Sequence, residues 1–133
     1  MEFDPSLLDL IKRDKRYTLQ AYRFVNEALY FAVKRREQEL AAISEQFAPA
    51  GTPHVTGQDV CYAVRDYALD QFGFLALTVL HEFGIKRTAD IGQIVFNLIE
   101  IKLMSKNDED TIEDFNDVFD LADELDHEFR FLK

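Results

Sequence analysis

In every long segment of this chain the apolar residues return at steps of three and four, and no apolar-polar alternation runs far enough to make a strand. That repeat, close to 3.6, belongs to a helix with one buried face, so the expected fold class is all-α. A length of 133 residues suits one core, large enough to bury roughly two thirds of the surface that the unfolded chain exposes. The expectation is a compact single domain of about five or six helices.

The helix ends are legible from their chemistry. Asp4-Pro5 opens a short helix to about Arg13, because Asp can cap free amides and Pro gives up an N–H that had no partner there. Thr18 can cap a longer helix in which Tyr22, Val25, Leu29, Ala32, Leu40, Ile43 and Phe47 share a face. Pro49, Gly51 and Pro53 end it. Thr56-Gly57-Gln58-Asp59 has the form of a capping box and should start a helix to about Phe72, burying Val60, Cys61, Val64, Tyr67 and Ala68. Gly73 separates this helix from the next, over 74–83, and Gly84 is placed as its left-handed cap.

The stretch HEFGIKRTADIGQIVFNLIEIKLMSK, residues 81–106, has the outline of a helix-turn-helix, with Thr88 opening a second helix that stops at Ser105-Lys106. Residues 58–106 are therefore expected to form a helix-turn-helix (winged-helix-like) core, with the largely apolar second helix at its centre. In a DNA reader that helix shows a polar face to the base edges, with Lys and Arg nearby for phosphates. Here the polar residues are Asp90, Gln93, Asn97 and Glu100. Gln93 and Asn97 could each read adenine, whereas Asp90 and Glu100 would meet phosphates with the wrong sign.

A formal charge of -10 is unevenly spread. Residues 1–106 carry 14 acidic and 13 basic side chains, and residues 107–133 carry 11 acidic and 2 basic. A basic zone, Lys12, Arg13, Lys15, Arg16, Lys34, Arg35 and Arg36, thus shares the chain with an acidic C-terminal region. In that region Phe115, Val118, Ala122, Leu125, Phe129 and Leu132 fall at alternating steps of three and four, the seam of one amphipathic helix. The domain reading is a helical domain over 1–106 and an acidic helix over 107–133, either packed on it or acting as an interaction arm.

The segments DKRYTLQAYRFVNEAL, HVTGQDVCYAVRDYALDQFG and IKRTADIGQIVFNLIEIKLMSKNDEDTIEDF resemble a family of small conserved bacterial proteins of the planctomycete and verrucomicrobial type. YALDQFG and DIGQIVFNLIE are the more specific parts. The resemblance implies a bacterial cytoplasmic protein and carries over no catalytic residue.

Catalytic chemistry finds few candidates. His54, His81 and His127 are scattered, and Glu124-x-x-His127 is half of a di-metal motif whose other half does not occur. Asn107-Asp108-Glu109-Asp110 lacks the glycine and the twelfth-position glutamate of a calcium loop. Cys61 lies on an apolar stripe, where a free thiol acts as a small hydrophobe. No glycine-rich phosphate loop is present among the five glycines. The first residues are acidic where a signal peptide is basic, and no apolar run approaches about 18 residues.

The functional expectation is a non-catalytic cytoplasmic protein-interaction module with no cofactor and no metal. Its acidic C-terminal helix would bind a basic surface, on a partner protein or on its own residues 12–36. Phe115, Val118, Leu125 and Phe129 would supply apolar anchors, and Asp117, Asp120 and Asp123 steering charge. The seam could equally pack on its own domain. A nucleic-acid-binding regulator with an autoinhibitory acidic tail is the alternative, although the charge opposes phosphate contact, and an enzyme of unknown class is the third reading.

Overall fold

A computed structural model describes residues 5–43, 56–104 and 111–125. Helix makes up 79% of it and no strand occurs among the described residues, as the apolar period requires. Five α-helices follow in order: α1 (Pro5–Arg13), α2 (Leu19–Ile43), α3 (Gly57–Phe72), α4 (Ala76–Glu82) and α5 (Thr88–Glu100). A 3-10 turn, Gly73–Leu75, joins α3 to α4, and a second, Ile112–Phe115, follows α5. A last helical turn occupies 121–125.

The caps act largely where the sequence places them. Thr18 Oγ1 accepts from the Ala21 amide at 3.1 Å at the start of α2. At α3 the capping box is complete: Thr56 Oγ1 accepts from the Asp59 amide at 3.1 Å, and Asp59 Oδ2 from the Thr56 amide at 3.0 Å. Gly84 closes α4 at φ 96°, and a side chain there would also collide with the Arg16 carbonyl. α5 opens at Thr88 as its sequence indicates, and Asp90 fastens the turn before it, its Oδ2 accepting from the amides of Lys86 (2.9 Å) and Arg87 (3.2 Å). One expectation needs correction: α5 stops at Glu100 rather than at Ser105-Lys106. Lys102 turns left-handed at φ 65°, and the Leu103 amide returns to the Leu98 carbonyl at 2.9 Å. A non-glycine residue pays roughly 1–2 kcal/mol for that turn, offset here by the recovered carbonyl and by Met104 packing on the core.

The core sits around α5. Ile91 and Ile94 are fully buried there, facing Tyr22 and Val25 of α2, Val64 of α3 and Leu80 of α4 within one cluster. Each such side chain contributes roughly 1.5–3 kcal/mol, and α5 packs on α2, on α3 and on the turn Ile112–Phe115, while α1 packs on α2 and α4 on α3. No helix of the described residues is long and apolar enough to cross a membrane.

Candidate functional site

The acidic segment differs most from its expected form. Instead of one continuous helix, the described part is a 3-10 turn at Ile112–Phe115, a non-helical stretch over 116–120 and a helix that starts at Leu121. Local polar chemistry explains the break. Asn116 is extended and Asp117 adopts φ 49°, which Asp tolerates better than most residues. Asp120 then caps a new helix, with Oδ1 accepting from the Asp123 amide at 3.1 Å. The interruption shifts the register, so Leu121 is buried and Ala122 exposed, contrary to the expected seam. Phe129, Leu132 and His127 lie outside the described residues, as do His54 and the loop at 49–53.

The segment is docked, and two glycines make its seat. Phe115 is 3% exposed, and Cβ atoms added at Gly92 of α5 and Gly57 of α3 would lie 2.6 Å and 3.1 Å from its side chain. Its ring meets Phe96 edge-on, with centroids 6.3 Å apart. The Val118 amide donates to the buried Thr88 hydroxyl at 3.2 Å, and Phe119 packs on Tyr62 with ring centroids 5.1 Å apart and planes tilted by 43°. Leu125 is 2% exposed, and Glu124 pairs with Arg65 at 3.5 Å. Of the proposed apolar anchors, Phe115 and Leu125 are thus core residues and Val118 is half-buried.

The opposite side of the same segment is charged. Residues 111–125 hold six carboxylates and no Lys or Arg. Glu113, Asp117, Asp120 and Asp123 are exposed. Burial of Phe115, Leu121 and Leu125 fixes which way these carboxylates point, so a short stretch of backbone presents a held anionic face.

The basic zone splits in two. Lys12, Arg13, Lys15 and Arg16 are exposed at the end of α1 and in the turn after it, whereas Lys34, Arg35 and Arg36 lie on the order of 20 Å further along α2. The second group is countered locally: Lys34 by Glu37 (3.7 Å), Arg36 by Glu39 (3.4 Å) and Arg35 by Asp66 (2.8 Å). The first group keeps its excess, because among the described residues only Arg16 of this group takes an ion pair, with Asp14. Among the described residues the one ion pair of the acidic segment is with Arg65 and not with either group. Arg65 also bonds Asp66 at 2.9 Å, so Glu124, Arg65, Asp66 and Arg35 form one chain of ion pairs across α3. Burial alone would raise the Asp66 carboxyl; the hydrogen bonds from Arg65 and Arg35 overcome it and hold it below the usual value.

Three of the polar residues of α5, Asp90, Gln93 and Asn97, are engaged internally, and Glu100 is exposed. Tyr17 donates to Asp90 Oδ1 at 2.7 Å. Asn97, only 6% exposed, donates to the Tyr22 hydroxyl at 3.1 Å and to Asp14 at 3.4 Å, and accepts from Gln93 at 2.9 Å. Hydrogen bonding from Arg16 holds the Asp14 carboxyl down at about 2, against an opposing effect of burial, and burial pushes the phenols of Tyr17 and Tyr22 up. Every buried side-chain nitrogen and oxygen among the described residues has a partner, as expected of a structural network. A base-reading role needs Asn97 on an open polar face, and the structure buries it; a lone amide flanked by Ile94, Val95, Leu98 and Ile99 is the sequence signal for that burial.

His81 is exposed on α4, while Cys61 is fully buried with its thiol pushed up to about 12 by burial. At that value the thiol stays protonated near neutrality and is a poor nucleophile. No family model, no curated protein and no solved structure matches the chain.

Proposed function

We propose that the chain is a non-catalytic cytoplasmic interaction module that offers the carboxylates of its acidic segment to a basic protein surface. The observation carrying this reading is the two-sided segment: Phe115, Leu121 and Leu125 are buried while Asp117, Asp120 and Asp123 are exposed. A charged face held by its own apolar anchors loses little freedom on binding, and exposed charge speeds encounter and sets orientation. Contact is then made by charge on a docked segment rather than by an apolar arm. The helix-turn-helix outline of α4, its turn and α5 serves in this reading as a packing unit, and the kinship suggested by YALDQFG and DIGQIVFNLIE accords with a small bacterial protein.

The nucleic-acid alternative is weakened by the engagement of Gln93 and Asn97 within the fold, since a reading helix must keep such amides for base edges. The test is capture from native bacterial lysate by wild-type protein and by a triple variant, Asp117→Asn, Asp120→Asn and Asp123→Asn. Asn tolerates the backbone of Asp117 and preserves the Asp120 cap, so the variant changes charge and little else. Basic proteins retained by the wild type at physiological salt should be lost from the variant. Equal retention by both would reject the reading.

A further inference from the structure

A groove of about 330 Å³ runs between the start of α5 and the stretch that follows Phe115. Lys86 and Arg87 line it on the side of the α4–α5 turn, and Asp117 and Asp120 on the side of the acidic segment, with Phe119 and Leu121 also in its lining. All four charged residues are exposed, and among the described residues none of them takes part in an ion pair. Two cations and two carboxylates therefore share one groove without pairing.

We propose that this groove receives a second copy of the chain in a two-fold symmetric dimer. The inference rests on the acidic-face reading and names its basic surface as Lys86 and Arg87 of another copy. In a two-fold interface the same patch meets itself, so a residue on one wall contacts a residue on the other wall of its partner, and reciprocally. A patch of one sign is repelled by its own copy. A patch with both signs side by side pairs each cation with a carboxylate on the facing copy. Tyr62, 38% exposed and in tilted ring contact with Phe119, adds apolar area beside the groove.

The net charge shapes the salt dependence. Two copies of charge -10 repel at long range, and salt screens that repulsion beyond about 8 Å at physiological ionic strength while contact pairs are screened less. The dimer is therefore most populated at intermediate salt and dissociates near 1 M, where screening reaches down to about 3 Å.

The experiment is sedimentation of the full chain across salt and protein concentration, with zero-length carbodiimide cross-linking of a mixture of isotopically light and heavy protein. The variants are Lys86→Glu with Arg87→Glu, and Asp117→Asn with Asp120→Asn. The backbone at 86 and 87 is held through its amides by Asp90, so replacing those side chains leaves that contact intact. Expected are a species of twice the 15.5 kDa chain mass, about tenfold weaker association in each folded variant, and light-to-heavy cross-links joining Lys86 to Asp117 or Asp120. A wild type that is monomeric at every salt concentration overturns the dimer, as does a dimer that both variants leave unchanged. If that monomer still loses its lysate partners in the triple Asn variant, the acidic-face reading stands without the dimer.

Discussion

Phe115 lies so close over Gly92 that a Cβ added to the glycine would sit 2.6 Å from the Cβ of Phe115, across a separation of 23 residues in sequence. No side chain fits between α5 and the acidic segment at this point. In an ordinary helix interior Gly92→Ala would gain about 1 kcal/mol of helix propensity. Here overpacking should reverse the sign, with a net loss of about 1–3 kcal/mol in urea unfolding. A neutral or stabilised variant would mean that Phe115 is not held against α5.

Asn97 ties α5 to α2 and to the turn after α1 through Tyr22 and Asp14. Asn97→Ala removes the amide and leaves the buried Tyr22 phenol without it, while Asp14 keeps its bonds from Arg16, so stability should fall by about 1–3 kcal/mol. Tyr22→Phe removes only one acceptor and should cost about 0.5–1.5 kcal/mol. Because the two residues are in contact, the double variant should lose less than the two single losses together, which a double-mutant cycle measures.

Acid should weaken the fold through Asp14. Its carboxyl falls from the usual 3.8 to about 2 in the folded state, held there by Arg16. A group with a depressed folded value stabilises above its unfolded value and ceases to do so as pH falls through its folded value. The contribution of Asp14 should therefore be present above about pH 4 and vanish towards pH 2. Asp66, also lowered, acts in the same direction. Asp14→Asn should show a shallower fall of the urea midpoint over this range, and an unchanged slope would contradict the Arg16 pairing.

Much of the architecture was legible because it is local. The capping box at Thr56, the cap at Thr18 and the left-handed Gly84 depend on residues within a few positions of each other, and each acts where its spacing indicates. The central place of α5 follows from its apolar circumference. The end of α5 was hidden because Lys102 takes a conformation that usually announces itself as glycine. The break in the acidic segment was hidden for a different reason. Alternating steps of three and four describe a seam only if the helix is continuous, and the left-handed Asp117 and the cap by Asp120 are polar events that an apolar pattern does not register. The docking of Phe115 needed knowledge of two glycines 35 residues apart, Gly57 and Gly92, meeting under one ring. At the candidate site the exposed carboxylates were readable from composition, but Arg65, Thr88 and the groove beside Lys86 and Arg87 were not, since only the fold brings them to the segment.

The most direct test of a docked acidic face, as opposed to a mobile arm, is native-state amide hydrogen exchange at Val118. Its N–H donates to Thr88, which is 1% exposed beneath the segment. If the segment is part of the fold, Val118 should exchange with protection close to that of the Ile94 and Leu98 amides in α5 and open with a similar denaturant dependence. Exchange of Val118 at the rate of an unprotected amide, while α5 stays protected, would contradict it.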